Sequence, residues 1–217
     1  MNKRVFAVTI IIMFLFVNST AQNQNVINEN SIDLTNRHSL SLNLGMINQS
    51  SVSVNVSNVS AKLNFIGSIL YNYWASDEFA FEFSLGMLSG EVKQGVSLLG
   101  VDQEVAAVFP LQFGLKYYPA QMVIGKNIRP FGGLNFIIAN GYNVSNKVLL
   151  GVKVGTETVS QTAFGARIGF GADAFINNWL KVGLNTGYIL LTDFPEEIGS
   201  RKNYSGLDIS FGFGFLF

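Results

Sequence analysis

Residues Leu207–Phe217 read LDISFGFGFLF. Side chains on a strand alternate between two faces with period two. Leu207, Ile209, Phe211, Phe213, Phe215 and Phe217 therefore share one face. Asp208, Ser210, Gly212 and Gly214 share the other, and Leu216 is the one apolar exception. One side of this strand is continuous hydrocarbon and the other is small or polar. The expectation is a strand with an apolar medium along one entire side, in a chain that stops on an aromatic residue.

Seven more runs of the same kind precede it, at about Ser39–Ile47, Ser60–Trp74, Phe79–Leu88, Val105–Tyr118, Ile128–Asn140, Thr162–Phe175 and Leu180–Leu191. Their apolar faces carry residues such as Leu40, Leu42, Leu44, Phe81, Phe83, Phe113, Phe136 and Ile168. Each run is long enough for a tilted membrane strand, which needs about 9–11 residues. Mean hydropathy is positive, +0.32, yet no unbroken apolar run past Val17 is long enough for a transmembrane helix. Hydrophobicity is spread as alternation, the way a membrane barrel carries its lipid face. The fold class expected is all-β.

At the other end, Lys3 and Arg4 precede the apolar stretch Val5–Val17, and Ser19-Thr20-Ala21 follows as a small-residue cleavage site. This pattern predicts a cleaved signal peptide over residues 1–21. The apolar core is too short to span a bilayer as a helix, for which about 20 residues are needed. Gln22–Asn36 is rich in Asn and Gln and lacks periodicity, so residues 22–36 are expected to form a flexible leader and residues 37–217 a single domain. The chain has no cysteine, which leaves no disulfide framework and no lipid attachment through a cysteine.

The C-terminal run resembles the closing strand of a bacterial outer-membrane β-barrel, and the chain is similar to the small eight-stranded Gram-negative barrels of the OmpA/OmpX/OmpW type. The resemblance implies an eight-stranded antiparallel up-and-down transmembrane barrel in the outer membrane. It also implies that Phe213, Phe215 and Phe217 form an insertion signal read by the barrel-assembly machinery.

Short connections, Ala75–Glu78 and Ile176–Asn178, and the moderate Pro119–Asn127 link alternate with longer ones, about Asn48–Val59, Ser89–Glu104, Gly141–Gln161 and Thr192–Tyr204. Short turns on the periplasmic side and long loops outside are the rule for such barrels. In that orientation Tyr71, Tyr73, Phe79, Tyr117 and Trp179, with Phe217, fall at one height, where an aromatic girdle belongs. Lys62, Glu82, Lys116, Arg167, Asp173, Lys181 and Asp208 all take the parity opposite the apolar face. Lipid exposure at the bilayer midplane would cost Lys or Arg about 2–4 kcal/mol, so these charges are expected to line the lumen as paired groups. With the turn centred on Asn177, Asp173 and Lys181 are expected to face one another near the periplasmic mouth in reach of water, and Glu82 and Lys116 to form a deeper pair. Side chains fill an eight-stranded barrel, which argues against a wide pore.

A soluble lipocalin-like barrel is the competing fold. It would turn the Phe rows inward, overfill the interior and send every charge out. Catalytic chemistry finds little support: His38 is the one histidine, it starts the first run, and no Ser-His-acid spacing accompanies it. Metal ligands and cofactor motifs are lacking; Gly169-Phe170-Gly171 lies within a strand and is no phosphate loop. The balanced charge holds no basic stripe for nucleic acid. The expected partners are outer-membrane lipid and an unidentified extracellular or secretion partner. The functional expectation is a structural or surface-interaction barrel acting through its long loops. The alternatives are a narrow channel for small hydrophobic solutes and an accessory barrel of a secretion or assembly system.

Overall fold

In the computed structural model the described residues are 32–49, 59–97, 100–149 and 152–217, with backbone alone described at 59–63, 93–97, 100–103, 147–149 and 152–154. The expected signal peptide and the expected leader up to Ser31 lie outside them, as do 50–58, 98–99 and 150–151. The strands are β1 (His38–Gln49), β2 (Val59–Leu63), β3 (Phe65–Trp74), β4 (Phe79–Met87), β5 (Ser89–Ser97), β6 (Gly100–Tyr117), β7 (Ile128–Leu149), β8 (Val152–Phe175), β9 (Leu180–Leu191) and β10 (Gly206–Leu216). β2 and β3 form one stave of the barrel and β4 and β5 another, giving eight staves in an antiparallel meander. β10 pairs with β1 to close it. The seam runs from Ser39 opposite Leu216 to Gln49 opposite Gly206. Below it His38 and Phe217 exchange two backbone hydrogen bonds of 2.9 Å.

The outward face is the expected one. Leu42, Phe83, Phe113, Ile168, Phe211 and their neighbours on the same parity are exposed, whereas Asn72, Glu82, Lys116, Asn135 and Asp208 are buried inside. Leu216, the exception in the C-terminal alternation, points inward and is buried.

One break in the pattern has a clear cause. Leu85 faces Leu111 but Ser89 faces Val108, so four residues on one stave match three on the other. This is a β-bulge, and it reverses the parity of the stave. Glu91 thereby turns inward and is buried, while Val92 turns outward.

Two of the expected long loops are strand instead. β6 is 18 residues long, β7 22 and β8 24, against the 9–11 or so that a membrane strand needs. The segments read as the loops Ser89–Glu104 and Gly141–Gln161 are the upper halves of hairpins β5–β6 and β7–β8. Pairing of β7 with β8 continues to Leu149 opposite Val152. These strands form a wall that projects past the belt on the side away from the chain ends. Thr192–Ser205 is the connection that turns back over the lumen.

The leader also differs at its end. Of the residues expected to be flexible, Ile32–Asn36 pack against the lower mouth, and Leu34 is fully buried. The backbone N–H of Leu34 donates to Asp77 Oδ1 at 2.9 Å and that of Asn36 to the Trp74 carbonyl at 2.8 Å.

Candidate functional site

The lumen is filled in three layers. At the lower mouth Trp74, Tyr118, Phe131, Phe175 and Leu216 pack with Leu34. Tyr118 lies 5.4 Å from Phe131 and 6.2 Å from Trp74, centroid to centroid. Trp74 and Tyr118 come from strand ends where aromatics are doubled: in Tyr73-Trp74 and Tyr117-Tyr118 the first ring faces out and the second in. Sequence reading used only the outward member.

The middle layer is polar. Lys116 Nζ meets Glu82 Oε2 at 2.6 Å, with both side chains more than nine-tenths buried, and Asn135 donates to the other Glu82 oxygen. Arg167 grips Asp208 with two bonds, Nε to Oδ2 at 2.9 Å and Nη2 to Oδ1 at 2.7 Å. Such forked pairs are stronger and more directional than single contacts. Arg167 reaches Asp208 on β10 by crossing β9 at Gly187. A Cβ built there would stand 2.9 Å from the guanidinium carbon.

Asp173 and Lys181 pair at 3.4 Å, though not as expected. Asp173 faces Gly183, and Lys181 faces Phe175, so the contact is diagonal and the turn is centred one residue later than Asn177. The pair is also buried, because the lower ring layer seals it from water. The Tyr118 hydroxyl donates to Asp173 Oδ2 at 2.8 Å. A Cβ at Gly183 would lie 2.3 Å from Asp173 Oδ1; glycine opens the space for the carboxylate.

Cations also sit over rings: Lys116 over Phe131 at 4.5 Å, Lys181 over Trp74 at 5.0 Å and Arg129 over Phe175 at 5.8 Å. Arg129, which the sequence reading missed, is buried and clamps the lower mouth. It donates to Asp77 Oδ1 at 2.8 Å and to the Ile32 carbonyl. Lys62 is placed opposite Glu91 in the β2–β5 register; its side chain lies outside the described residues. A cavity of about 30 Å³ remains, with Glu82, Gln112, Lys116, Arg167 and Asp208 among its lining. One ordered water needs about 10–15 Å³, so it holds a few waters at most.

The upper layer is apolar. Phe194, Ile198 and Tyr204 of the Thr192–Ser205 connection descend among Ile47, Leu88, Val108, Ile137 and Ile189 of the staves. Gly141 makes room for Ile198, whose Cγ1 would stand 2.6 Å from a Cβ there. Polar contacts fasten this lid to three staves. Asn143 donates to the Glu197 carbonyl and accepts from the Gly199 N–H, both at 2.8 Å. Glu91 accepts from the Ser200 N–H and hydroxyl at 3.0 and 2.8 Å. Gln161 accepts from the Glu196 N–H at 2.7 Å. The Tyr204 hydroxyl donates to the Ile198 carbonyl. Burial, with the Glu91 carboxylate nearby, pushes the Tyr204 phenol up to about 12.

One group of outward aromatics collects at the lower rim. Phe79 and Tyr117 are 4.9 Å apart, and Trp179 stacks on Phe215 at 5.8 Å. His38 lies here too, 5.0 Å from Tyr73 and 5.9 Å from Phe217, with Nδ1 2.7 Å from the Tyr71 hydroxyl. Phe213, Phe215 and Phe217 are exposed on the outer face.

A closed antiparallel barrel with a wide apolar belt outside and paired charges inside defines a class, the integral membrane barrels of the bacterial outer membrane. The chain belongs to the outer membrane protein β-barrel domain family, whose model matches residues 13–217, and its location is the outer membrane. No curated relative matches the sequence significantly. Among solved structures it is similar to OprG from Pseudomonas aeruginosa, with 14% identity over 87% of this chain and 98% of that one and a TM-score of 0.51. It is also similar to Ail, the attachment invasion locus protein of Yersinia pestis, with 11% identity over 84% and 99% and a TM-score of 0.45. At these identities the likeness is one of fold.

Proposed function

We propose that the protein is a surface-interaction barrel: a closed anchor in the outer membrane that holds the β5–β8 wall outside the cell. The observation that carries this reading is the free edge of β8. Phe164 takes its backbone bond from Thr192 on the β9 side, and backbone polar groups alternate sides along a strand. By the same parity the N–H and C=O groups of Thr156, Thr158, Ser160 and Thr162 point away from β7. No described strand pairs with them. The hydroxyls of Thr156 and Thr162 donate to Asn146 and Asn140 on β7, at 2.8 and 2.9 Å, and so leave the edge uncapped. An edge of this length, without proline, accepts an added strand. The three filled layers of the lumen speak for an anchor over a conduit.

The test uses cells displaying the chain or its Thr158→Pro variant, which lacks the edge donor. The expected result is binding of an extended extracellular polypeptide that the proline removes, while heat-modifiable gel mobility is kept. Binding unchanged by the proline, or stable porin-sized conductance of the reconstituted protein, would overturn the reading.

A further inference from the structure

In the middle of the lumen each carboxylate has a cation beside it. Lys116 meets Glu82 at 2.6 Å, Arg167 meets Asp208 at 2.7 Å and Lys181 meets Asp173 at 3.4 Å. At the open edge of β8 that pairing stops. The strand from Gly155 to Ala163 reads GTETVSQTA, and the lid arm from Thr192 to Ser200 reads TDFPEEIGS. Together they hold Glu157, Asp193, Glu196 and Glu197 and no Lys or Arg. All four acidic residues are exposed, and among the described residues none of them has an ion pair. Cations stand past both stretches. By register Lys147 faces Gly155 and Lys153 faces Val148, toward the tip of the wall. Arg201 is buried, and Lys202 lies on the returning arm of the lid, where its carbonyl accepts from the Phe194 N–H at 2.8 Å.

The two stretches bound a slot. β9 ends at Leu191, which faces Gly165. One residue on, the Thr192 N–H donates to the Phe164 carbonyl at 2.8 Å, and the Thr192 hydroxyl accepts from the Phe164 N–H at 3.1 Å. There the chain leaves the sheet and turns in over the lumen. Asn203 donates to Asp193 Oδ1 at 2.7 Å and to the Leu191 carbonyl at 3.0 Å, which holds that carboxylate at the floor of the slot. On the inner side the Glu196 N–H donates to Gln161 Oε1 at 2.7 Å and fixes the lid arm against β8. The edge itself offers the N–H and C=O groups of Thr156, Thr158, Ser160 and Thr162, about 6.8 Å apart from one residue to the next. Height keeps the slot clear of acyl chains. At a rise of about 3.4 Å per residue and a tilt near 40°, Phe164 stands about 29 Å above Phe175, the lower end of β8. The apolar band of such barrels is about 25 Å tall.

A strand added in this slot turns alternate side chains to opposite sides. Those facing out lie beside Thr158 and Ser160. Those facing in lie beside Glu157, Val159 and Gln161, with Glu196 on the lid arm and Asp193 at the floor. Opposed side chains on neighbouring strands are about 4.5–5.5 Å apart at Cβ, where opposite charges attract and like charges repel. An acidic strand is therefore rejected, and a neutral one leaves the carboxylates unpaired. A strand with a cation at every second position answers the acidic row, and its alkyl stems cover the half-buried Val159. We propose that the β8 edge receives an extended polypeptide carrying Lys or Arg at alternate positions, with the basic side chains turned toward the lid. This rests on the open edge stated under Proposed function and adds the chemistry of the partner to it.

The test places the full chain in phosphatidylcholine nanodiscs and follows the fluorescence anisotropy of labelled peptides of about nine residues, enough to span the edge. The peptides are alternating Lys-Thr, Ser-Thr and Glu-Thr, and Lys-Thr with one central Thr replaced by proline. Lys-Thr is expected to bind about tenfold more tightly than Ser-Thr, by a margin that shrinks as salt is raised. Glu-Thr and the proline peptide should not bind. Glu157→Gln combined with Glu196→Gln should bring Lys-Thr down to the Ser-Thr level; either substitution alone gives the same reading at a smaller margin should the pair not fold. Asp33→Asn, which removes a carboxylate at the lower mouth, should change nothing. Thr158→Pro should remove binding of both peptides with heat-modifiable mobility kept. Equal binding of Lys-Thr and Ser-Thr, both lost in Thr158→Pro, would overturn this inference and leave the edge reading standing. A fall in Asp33→Asn as large as in the Glu157 and Glu196 variants would reduce the preference to net charge and overturn it likewise. Binding of Lys-Thr that survives Thr158→Pro or the central proline, or no binding of any peptide, would overturn both.

Discussion

The middle of the lumen and the lid above it close the same barrel in different ways. In the middle, Glu82, Lys116, Arg167, Asp208, Asp173 and Lys181 all project from staves held in register on both sides. At the top, Phe194, Ile198 and Tyr204 come from a connection fastened by a handful of side-chain contacts. The polar layer belongs to the barrel; the apolar layer is laid upon it. A strand-borne contact cannot be lost without disturbing the ladder. A loop-borne layer opens as a local unit, at a fraction of the global free energy.

The largest effect that would break this contrast is at the buried pairs. Removing one partner of a buried ion pair costs about 3–5 kcal/mol, because the survivor remains charged and alone. Glu82→Gln and Asp173→Asn are expected to destabilise the whole barrel by comparable amounts in urea titrations, since both pairs are buried and Asp173 also holds Tyr118. A double-mutant cycle of Glu82 with Lys116 should show coupling; additivity would mean that the middle layer is no tighter than a surface pair.

A smaller effect is expected at Gly187. Gly187→Ala sets a methyl group 2.8 Å from the Ile168 carbonyl oxygen and 2.9 Å from the Arg167 guanidinium carbon, crowding both the ladder and the fork with Asp208, for about 1–3 kcal/mol of overpacking, read as a lower urea midpoint. Phe194→Ala sharpens the comparison from the other side. It should admit protease to Thr192–Ser205 and leave the unfolding midpoint of the barrel nearly unchanged; a barrel-wide loss would make the lid part of the cooperative unit.

The smallest effect is confined to alkaline solution. The Tyr204 phenol is held neutral in the folded lid, with its pKa raised from about 10 to about 12. A raised pKa stabilises the lid fully below the unfolded value and loses that contribution as pH climbs through the folded one. Protease access to the lid should therefore increase between pH 10 and 12, and Tyr204→Phe should remove that dependence.

Much of this was legible in the chain. Alternation in LDISFGFGFLF and its seven companions placed the lipid face, because burial in lipid is enforced residue by residue. The same parity sent Glu82, Lys116 and Arg167 inward. What escaped has physical reasons. Gly155–Gln161 alternates without contrast, since both faces of the projecting wall are exposed or half-buried there, so its strand reads as loop. Glu91 was displaced from its parity by a bulge that Leu88 does not announce. Phe194 and Tyr204 sit in an aperiodic segment with Pro195, and their burial depends on a lumen that exists only after closure. Arg129 stands beside Pro130 at an untidy strand start. The offset of Asp173 and Lys181 came from a one-residue difference in turn centre, which pairing arithmetic multiplies along both strands.

The seam between β1 and β10 joins residues nearly a whole chain apart, through eleven registered positions, and the His38–Phe217 bonds finish it. No part of that joint can be made until β10 reaches β1. Until then the sheet has two bare edges, each ready to pair with the wrong neighbour. Such long-range pairing is also intrinsically slow. Time, more than final stability, is therefore the vulnerable quantity in the life of this molecule: the interval between the arrival of β10 and its meeting with β1 is the window for aggregation.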